Sequence, residues 1–482
     1  MASLKKRAYL GVRWSGLSTI VTGALQILQL VLLTRLLNIH EYGLIVLVLV
    51  VITIFQGFVD AGMSNALVHF QSASQSQLSS LYWLSWIFGS LACAFLILIA
   101  PGIAQLYMEP ELSAIVRLAA LSILIAPAGQ QFQSLMQKEF RFKQIAIIEI
   151  IALSFGTIAA CSTAYFGEKA RSVAWGLLVS TLLRSCLLVV LGRKRWSPDW
   201  HFSMQDVRPY LVFGGYQMGE RILNLLYMNI DKLLIGKILG ADALGVYSVA
   251  SQLMIKPFSA MSSAISRVSF PLFAQVQTDN QKIQRGYHFV ISGIALVCVP
   301  IYFGMASIAD PLIQFLFGDR WLGSAGVLKI LAFLGILYSF GNLLGSILLA
   351  KGRADLGFWM NVYGLTMYIS ALYIGSFFNI TGIAWALLLT TAIFVMPVDF
   401  YLRSKLVGMR ASDFLRVVWP FLISGFLMSL VMWGLDHYLL AKLENAFRLT
   451  CLIACGAALY ICNIMVFCRK YLNELIDLIK GK

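Results

Sequence analysis

An apolar stretch from Tyr210 to Ala250, YLVFGGYQMGERILNLLYMNIDKLLIGKILGADALGVYSVA, carries Glu220, Arg221, Asp231 and Lys232 inside its first span. The stretch is apolar enough to cross a bilayer. A charge at the centre of a membrane helix costs roughly 2.5–3.5 kcal/mol on insertion scales, so such groups face a polar cavity or a partner. Glu220, Asn224 and Asp231 share one helical face, and Arg221 and Lys232 lie on the stripe beside it. The pattern implies a helix lining a wet, charged path for an anionic amphiphile. Arg and Lys suit an anion there, because each charge counts for more at low dielectric than in water.

Other polar groups in apolar runs join this set. Lys256 sits near the middle of the next run, with no acid within one turn. Gln26 and Gln29 lie in the first run, Gln56 and Asp60 in the second, and Asn224 and Asn229 in the seventh. Arg221, Lys232, Lys256, Gln26, Gln29 and Asn224 are the candidate cavity residues. Asp60, Glu220 and Asp231 are candidates for proton or cation coupling. Plainer roles stand beside these: a local Asp231–Lys232 pair near the outer interface, a structural Glu220–Arg221 pair, helix capping by Asp60. Arg184, in the inner half of the sixth run, reads as a side chain reaching back to the interface. Gln130, Gln131, Gln133 and Gln137 fit helix-to-helix hydrogen bonding as well as substrate contact.

Composition sets the frame for these residues. Hydrophobic residues make up 59%, charged residues 12%, and mean hydropathy is +0.80; a soluble domain is nearer a quarter charged. The chain therefore reads as an all-α, polytopic membrane protein. Eight cysteines are scattered through apolar runs without a CxxC pair, as expected for reduced core residues rather than disulfides or metal ligands. His40, His69, His201, His288 and His437 are dispersed. No acid–base constellation, phosphate loop or catalytic domain is evident, so neither an enzyme nor a metal or other cofactor is expected. The basic start, MASLKKRAYLGVRWSG, leads into a run long enough to span, without a clear cleavage site.

Fourteen apolar runs of about 20 residues or more are expected to span: 14–37, 43–67, 80–104, 112–136, 145–166, 172–192, 210–236, 243–270, 286–308, 322–349, 356–378, 382–402, 415–436 and 446–468. With a cytoplasmic N-terminus, 24 of the 37 Lys and Arg residues fall at inner ends and 7 in outer loops. This bias predicts both termini inside and accounts for a net charge of +15 without nucleic acid. Gly214, Gly215 and Gly219 suggest that the seventh run bends. The connector 192–209, GRKRWSPDWHFSMQDVRP, reads as an amphipathic surface segment or a plain linker.

An internal repeat is visible. RLLNIHEYG (35–43) resembles KILGADALG (237–245) at an offset of 202, with Gly43 on Gly245 and Arg35 on Lys237. Weaker matches follow at offsets of 210 and 213. They imply two six-helix lobes, 1–200 and 201–405, related by an axis along the membrane normal, with two added helices in 406–482.

GVRWSGL (11–17), TRLLNIHEYGL (34–44), FVDAGMSNALV (58–68), LSSLYWL (78–84), LMQKEFRFKQIAIIEI (135–150) and NIDKLLIGKILGADALGVYSVA (229–250) resemble the polysaccharide transporter branch of the multidrug/oligosaccharidyl-lipid/polysaccharide flippase superfamily. The likeness is strongest to the colanic-acid-exporter type of lipid-linked oligosaccharide flippase. It implies two lobes around a V-shaped cavity and alternating access. It also implies transfer of an undecaprenyl-pyrophosphate-linked repeat unit across a bacterial inner membrane, with a polysaccharide polymerase and a chain-length regulator as partners. A cation-coupled drug antiporter, a peptidoglycan-precursor flippase or a noncatalytic assembly scaffold are the competing functions.

Overall fold

In lipid, an apolar run satisfies its own backbone only as a helix or a closed barrel. The computed structural model describes residues 2–60, 73–440 and 443–467, and among them it contains helices and turns but no strand. Side chains are described for these residues except at 2–13, 15, 60, 212–217, 220, 263–268, 270–272, 274, 354 and 467. The helices are α1 (Ala2–Leu36), α2 (Ile39–Asp60), α3 (Gln75–Tyr107), α4 (Pro110–Ile125), α5 (Pro127–Lys138), α6 (Phe142–Tyr165), α7 (Arg171–Gly192), α8 (Met204–Ile238) and α9 (Gly240–Gln275). They continue with α10 (Asn280–Ser307), α11 (Ala309–Phe317), α12 (Gly323–Gly341), α13 (Leu343–Ala350), α14 (Ala354–Ser376), α15 (Asn379–Thr390), α16 (Met396–Val407), α17 (Ala411–Gly434) and α18 (Asn445–Phe467).

Among the described residues, ten helical segments are long and apolar enough to cross a membrane, or eleven if α4 and α5 form one span bent by 45°. That bend falls at Pro127, the first residue of α5, where proline lacks the N–H that would continue the ladder. Helices α8, α9 and α14 coincide with the seventh, eighth and eleventh expected spans and have 35, 36 and 23 residues. Their charged, amide and aromatic side chains dilute the apolar run. Apolarity alone thus reaches eleven, and fourteen requires adding these three. Helix α8 runs unbroken through Gly214, Gly215 and Gly219 in this conformation. Pro397 follows a π-turn over Thr391–Val395, a local adjustment that rehouses backbone groups freed by proline.

By contacts the chain forms two compact units, Met1–Gly245 and Val246–Lys482. In the first, α1 packs on α6, α6 on α7, and α4 and α5 on α7; α8 packs on α2 and α3. The α6–α7 contact is made by small residues. A Cβ on Gly156 would lie 2.8 Å from the Gly176 carbonyl oxygen, and one on Gly176 would lie 2.7 Å from that of Gly156. Close backbone approach of this kind is how membrane helices gain packing energy without a hydrophobic drive. The connector 193–203 forms turns and extended chain, not a helix. It is strapped to the start of α3. Gln75 donates to the Ser197 carbonyl at 2.7 Å, the Trp83 indole donates to the Asp199 carbonyl at 2.8 Å, and Trp83 stacks on Trp200 at 4.6 Å.

In the second unit, α10 packs against α12 and α17, α14 against α15, and α17 against α18. Among the described residues its least exposed ion pair is Asp399–Arg403, with side chains 4% and 1% exposed. Arg403 counts among the inner-rim cations in the sequence. Instead it is buried, and it donates to both Asp399 oxygens, the Tyr287 hydroxyl and the Phe340 carbonyl.

Candidate functional site

Helix α8 carries most of the residues singled out in the sequence. Arg221 and Asn224 are exposed on it, and Asn229, Asp231 and Lys232 are half-buried. Lys232 turns back one turn and donates to the Asn229 side-chain oxygen at 2.9 Å, while the Asn229 amide donates to the Leu225 carbonyl at 2.9 Å. Its described hydrogen bond is thus to Asn229, not to the adjacent Asp231, in keeping with neighbouring helical side chains pointing about 100° apart. Lys256 is half-buried on α9, just before Pro257. On α1, Gln26 is exposed and Gln29 half-buried. The side chains of Asp60 and Glu220 lie outside the described ones.

The far end of α8 meets the two repeat-related turns. The α1–α2 turn and the α8–α9 turn pack on each other through glycine. A Cβ on Gly43 would fall 1.9 Å from the Ala241 carbonyl oxygen, and one on Gly245 would fall 2.4 Å from that of Ile39. Ile39 and Ala241 are related by the same offset of 202 as Gly43 and Gly245, so the two contacts are reciprocal. His40 joins this junction, with its Nε2 3.2 Å from Glu109 and its Nδ1 3.5 Å from Asp242. Tyr107 donates to the Leu233 carbonyl, and Lys237 to that of Leu106.

A second polar cluster joins four helices of the same unit. Arg184 of α7 donates to the Gln133 side-chain oxygen of α5 at 2.8 Å and stands 3.6 Å from Glu149 of α6. Ser18 of α1 donates to the other Glu149 oxygen at 3.5 Å. Sequence reasoning missed Glu149 and read Arg184 as an interface residue. The available signal was an isolated acid in the apolar run QIAIIEIIALS, at nearly the same depth as the arginine of the next span. The fold supplies the rest. Glu149 lies seven residues before Gly156 and Arg184 eight after Gly176, so the antiparallel glycine contact brings the two charges level.

Known proteins agree with this architecture. The family described as "Polysaccharide biosynthesis protein" matches residues 32–326. The teichuronic acid biosynthesis protein TuaB of Bacillus subtilis is 33% identical over 473 residues, 96% of each chain. The lipopolysaccharide biosynthesis protein WzxC of Escherichia coli is 30% identical over 424 residues, covering 88% of this chain and 86% of WzxC. Among solved structures, the lipid II flippase MurJ in an inward closed conformation superposes with a TM-score of 0.78 at 13% identity, covering 96% of this chain and 100% of MurJ; it shares the fold. This multi-pass membrane protein belongs to the polysaccharide biosynthesis protein family.

Proposed function

We propose that this protein flips an undecaprenyl-pyrophosphate-linked oligosaccharide repeat unit from the inner to the outer leaflet of a bacterial inner membrane, for exopolysaccharide, capsule or O-antigen export. A hydroxyl or amide taken unpartnered into an apolar medium costs roughly 2–7 kcal/mol. A glycan with several such groups therefore needs a protein-lined polar path. The observation that carries the reading is the polar set Arg221, Asn224, Asn229, Asp231 and Lys232 on one membrane-length helix, in a chain whose family is one of polysaccharide biosynthesis.

In this reading Arg221, Lys232, Lys256, Gln26, Gln29 and Asn224 contact the substrate during alternating access, and Asp60, Glu220 and Asp231 take part in ion coupling. The lobes are 1–200 and 201–405, with 406–482 added, and both termini are cytoplasmic. A polysaccharide polymerase and a chain-length regulator act alongside. The test is flipping of a lipid-linked oligosaccharide in proteoliposomes, wild type beside Arg221→Ala/Lys256→Ala. Glycan movement that the double variant loses supports function and site together. Movement that survives keeps the function and discards these two residues. A well-folded wild type that moves none of several glycan lipids refutes the reading. Full transport at every pH by Asp60→Asn, Glu220→Gln and Asp231→Asn rules out coupling through those acids.

A further inference from the structure

We infer that the Arg184–Glu149 cluster is an anion subsite: Arg184 receives the diphosphate of a lipid-linked substrate, and Glu149 is the carboxylate that the diphosphate displaces. The inference rests on the flippase reading above and adds residues that reading does not use.

Depth comes first. Arg184 is eight residues from Gly192 at one end of α7, and Glu149 seven from Phe142 at the start of α6. At about 1.5 Å per residue, both lie roughly 10–12 Å inside their spans. Their side chains are nevertheless 44% and 34% exposed. That exposure is not toward lipid. The apolar side chains exposed on α6 are Ile147, Ile151, Phe155 and Ile158, and on α7 Trp175, Leu182 and Val190. Glu149 stands two residues from Ile147 and Ile151, and Arg184 two from Leu182, about 200° round each helix. Both charges therefore leave from the face opposite the lipid stripe. Ionisable groups on that side of a span mark a substrate or ion path.

The geometry is that of an unfinished site. The molecule's structural ion pair gives the contrast: Arg403 is buried, and its fork is used on two carboxylate oxygens, a hydroxyl and a carbonyl. Arg184 is half-open. Among the described residues it makes one hydrogen bond, to Gln133 at 2.8 Å. Glu149, at 3.6 Å, is beyond hydrogen-bond range. The carboxylate offsets the Arg184 charge without using up the guanidinium donors. Gln133 fixes the plane of the fork. A planar fork of N–H donors takes two oxygens of a phosphate at once, and a diphosphate is common to every substrate of the proposed class whatever its sugars. As the anion arrives, repulsion moves the Glu149 carboxylate off toward the Ser18 hydroxyl.

The test is equilibrium binding to the purified full chain in nanodiscs, with farnesyl diphosphate as the probe and farnesol as the uncharged control. Arg184→Gln is expected to weaken farnesyl diphosphate binding roughly ten- to hundredfold, the worth of a charged hydrogen-bonding partner. Arg184→Lys should fall between, and farnesol should be unaffected by either. Glu149→Gln is expected to strengthen diphosphate binding, because it removes the competing charge. A structural pair predicts the opposite sign for that variant, so equal weakening by Arg184→Gln and Glu149→Gln overturns the inference. Unchanged binding in all three variants, or equal loss of farnesol, also overturns it. Glycan-lipid flipping by the same preparations separates the two claims. If wild type and Arg184→Gln flip alike and bind alike, the subsite falls and the transport reading stands. If wild type flips nothing, both fall.

Discussion

Replacing Arg403 with Met removes a cation that is 1% exposed and leaves Asp399, 4% exposed, with no counter-charge. Four hydrogen bonds go with it: two to Asp399, one to the Tyr287 hydroxyl and one to the Phe340 carbonyl. The guanidinium also stacks over Tyr287, Phe400 and Phe414 at 5.0, 5.5 and 5.9 Å, and a methionine side chain keeps part of that packing. Breaking a buried pair on one side costs roughly 3–5 kcal/mol, whereas replacing both partners with apolar groups of similar volume is often near neutral. A unit of this size melts about 2–4 °C lower per kcal/mol. Arg403→Met should therefore lower the melting temperature in detergent by roughly 6–20 °C. The double variant Asp399→Leu/Arg403→Met should recover most of that loss, an interaction of opposite sign to the single costs. The assay is thermal unfolding of purified protein, followed by loss of the monodisperse peak. A single variant that melts with wild type, or a double variant worse than the single, would refute the argument that unpaired charge dominates here.

Gly43→Ala and Gly245→Ala each place a Cβ against backbone, 1.9 Å and 2.4 Å from carbonyl oxygens, and should each cost about 1–3 kcal/mol in the same assay. Their costs should not add, because the first substitution already parts the turns. Gly23→Ala, with open space around it, should match wild type; a similar loss there would sink the steric account. Asp279 caps α10 by accepting the Lys282 backbone N–H at 3.1 Å, and this bond holds its carboxyl below the usual carboxylate range. Its stabilisation is thus full above the unfolded value and lost as pH falls through the lowered folded one. The melting gap between wild type and Asp279→Ala should persist from neutral to mildly acidic pH and close only in strong acid.

Much of the fold is legible in the sequence because lipid leaves the backbone few choices. The helix breaks between Leu36 and Ile39 and between Ile238 and Gly240 fall where the repeat places them. What the sequence hides is partnership. Lys232 bonds to Asn229 rather than to its neighbour Asp231. Arg403 resembles a rim cation unless Asp399, one turn back, is weighed with it. Glu149 and Arg184 are 35 positions apart and meet only because Gly156 and Gly176 set the register of two helices. Small residues are too common in membrane spans for that register to be read without the structure.

The reciprocal contact of the two turns carries a consequence of its own. Gly43 meets Ala241, and Gly245 meets Ile39, so each turn offers both a notch and the carbonyl that fills the other's notch. A surface of that kind is self-complementary, as in an isologous dimer. A half-length chain bearing a single copy of the turn would already hold both members of the contact and could join a second copy of itself through it. The junction is thus compatible with an origin by duplication and fusion of such a half. It also makes a testable claim on descent: substitutions at position 43 should be matched by changes at 241, and those at 245 by changes at 39, each pair drifting separately once the two copies share one chain.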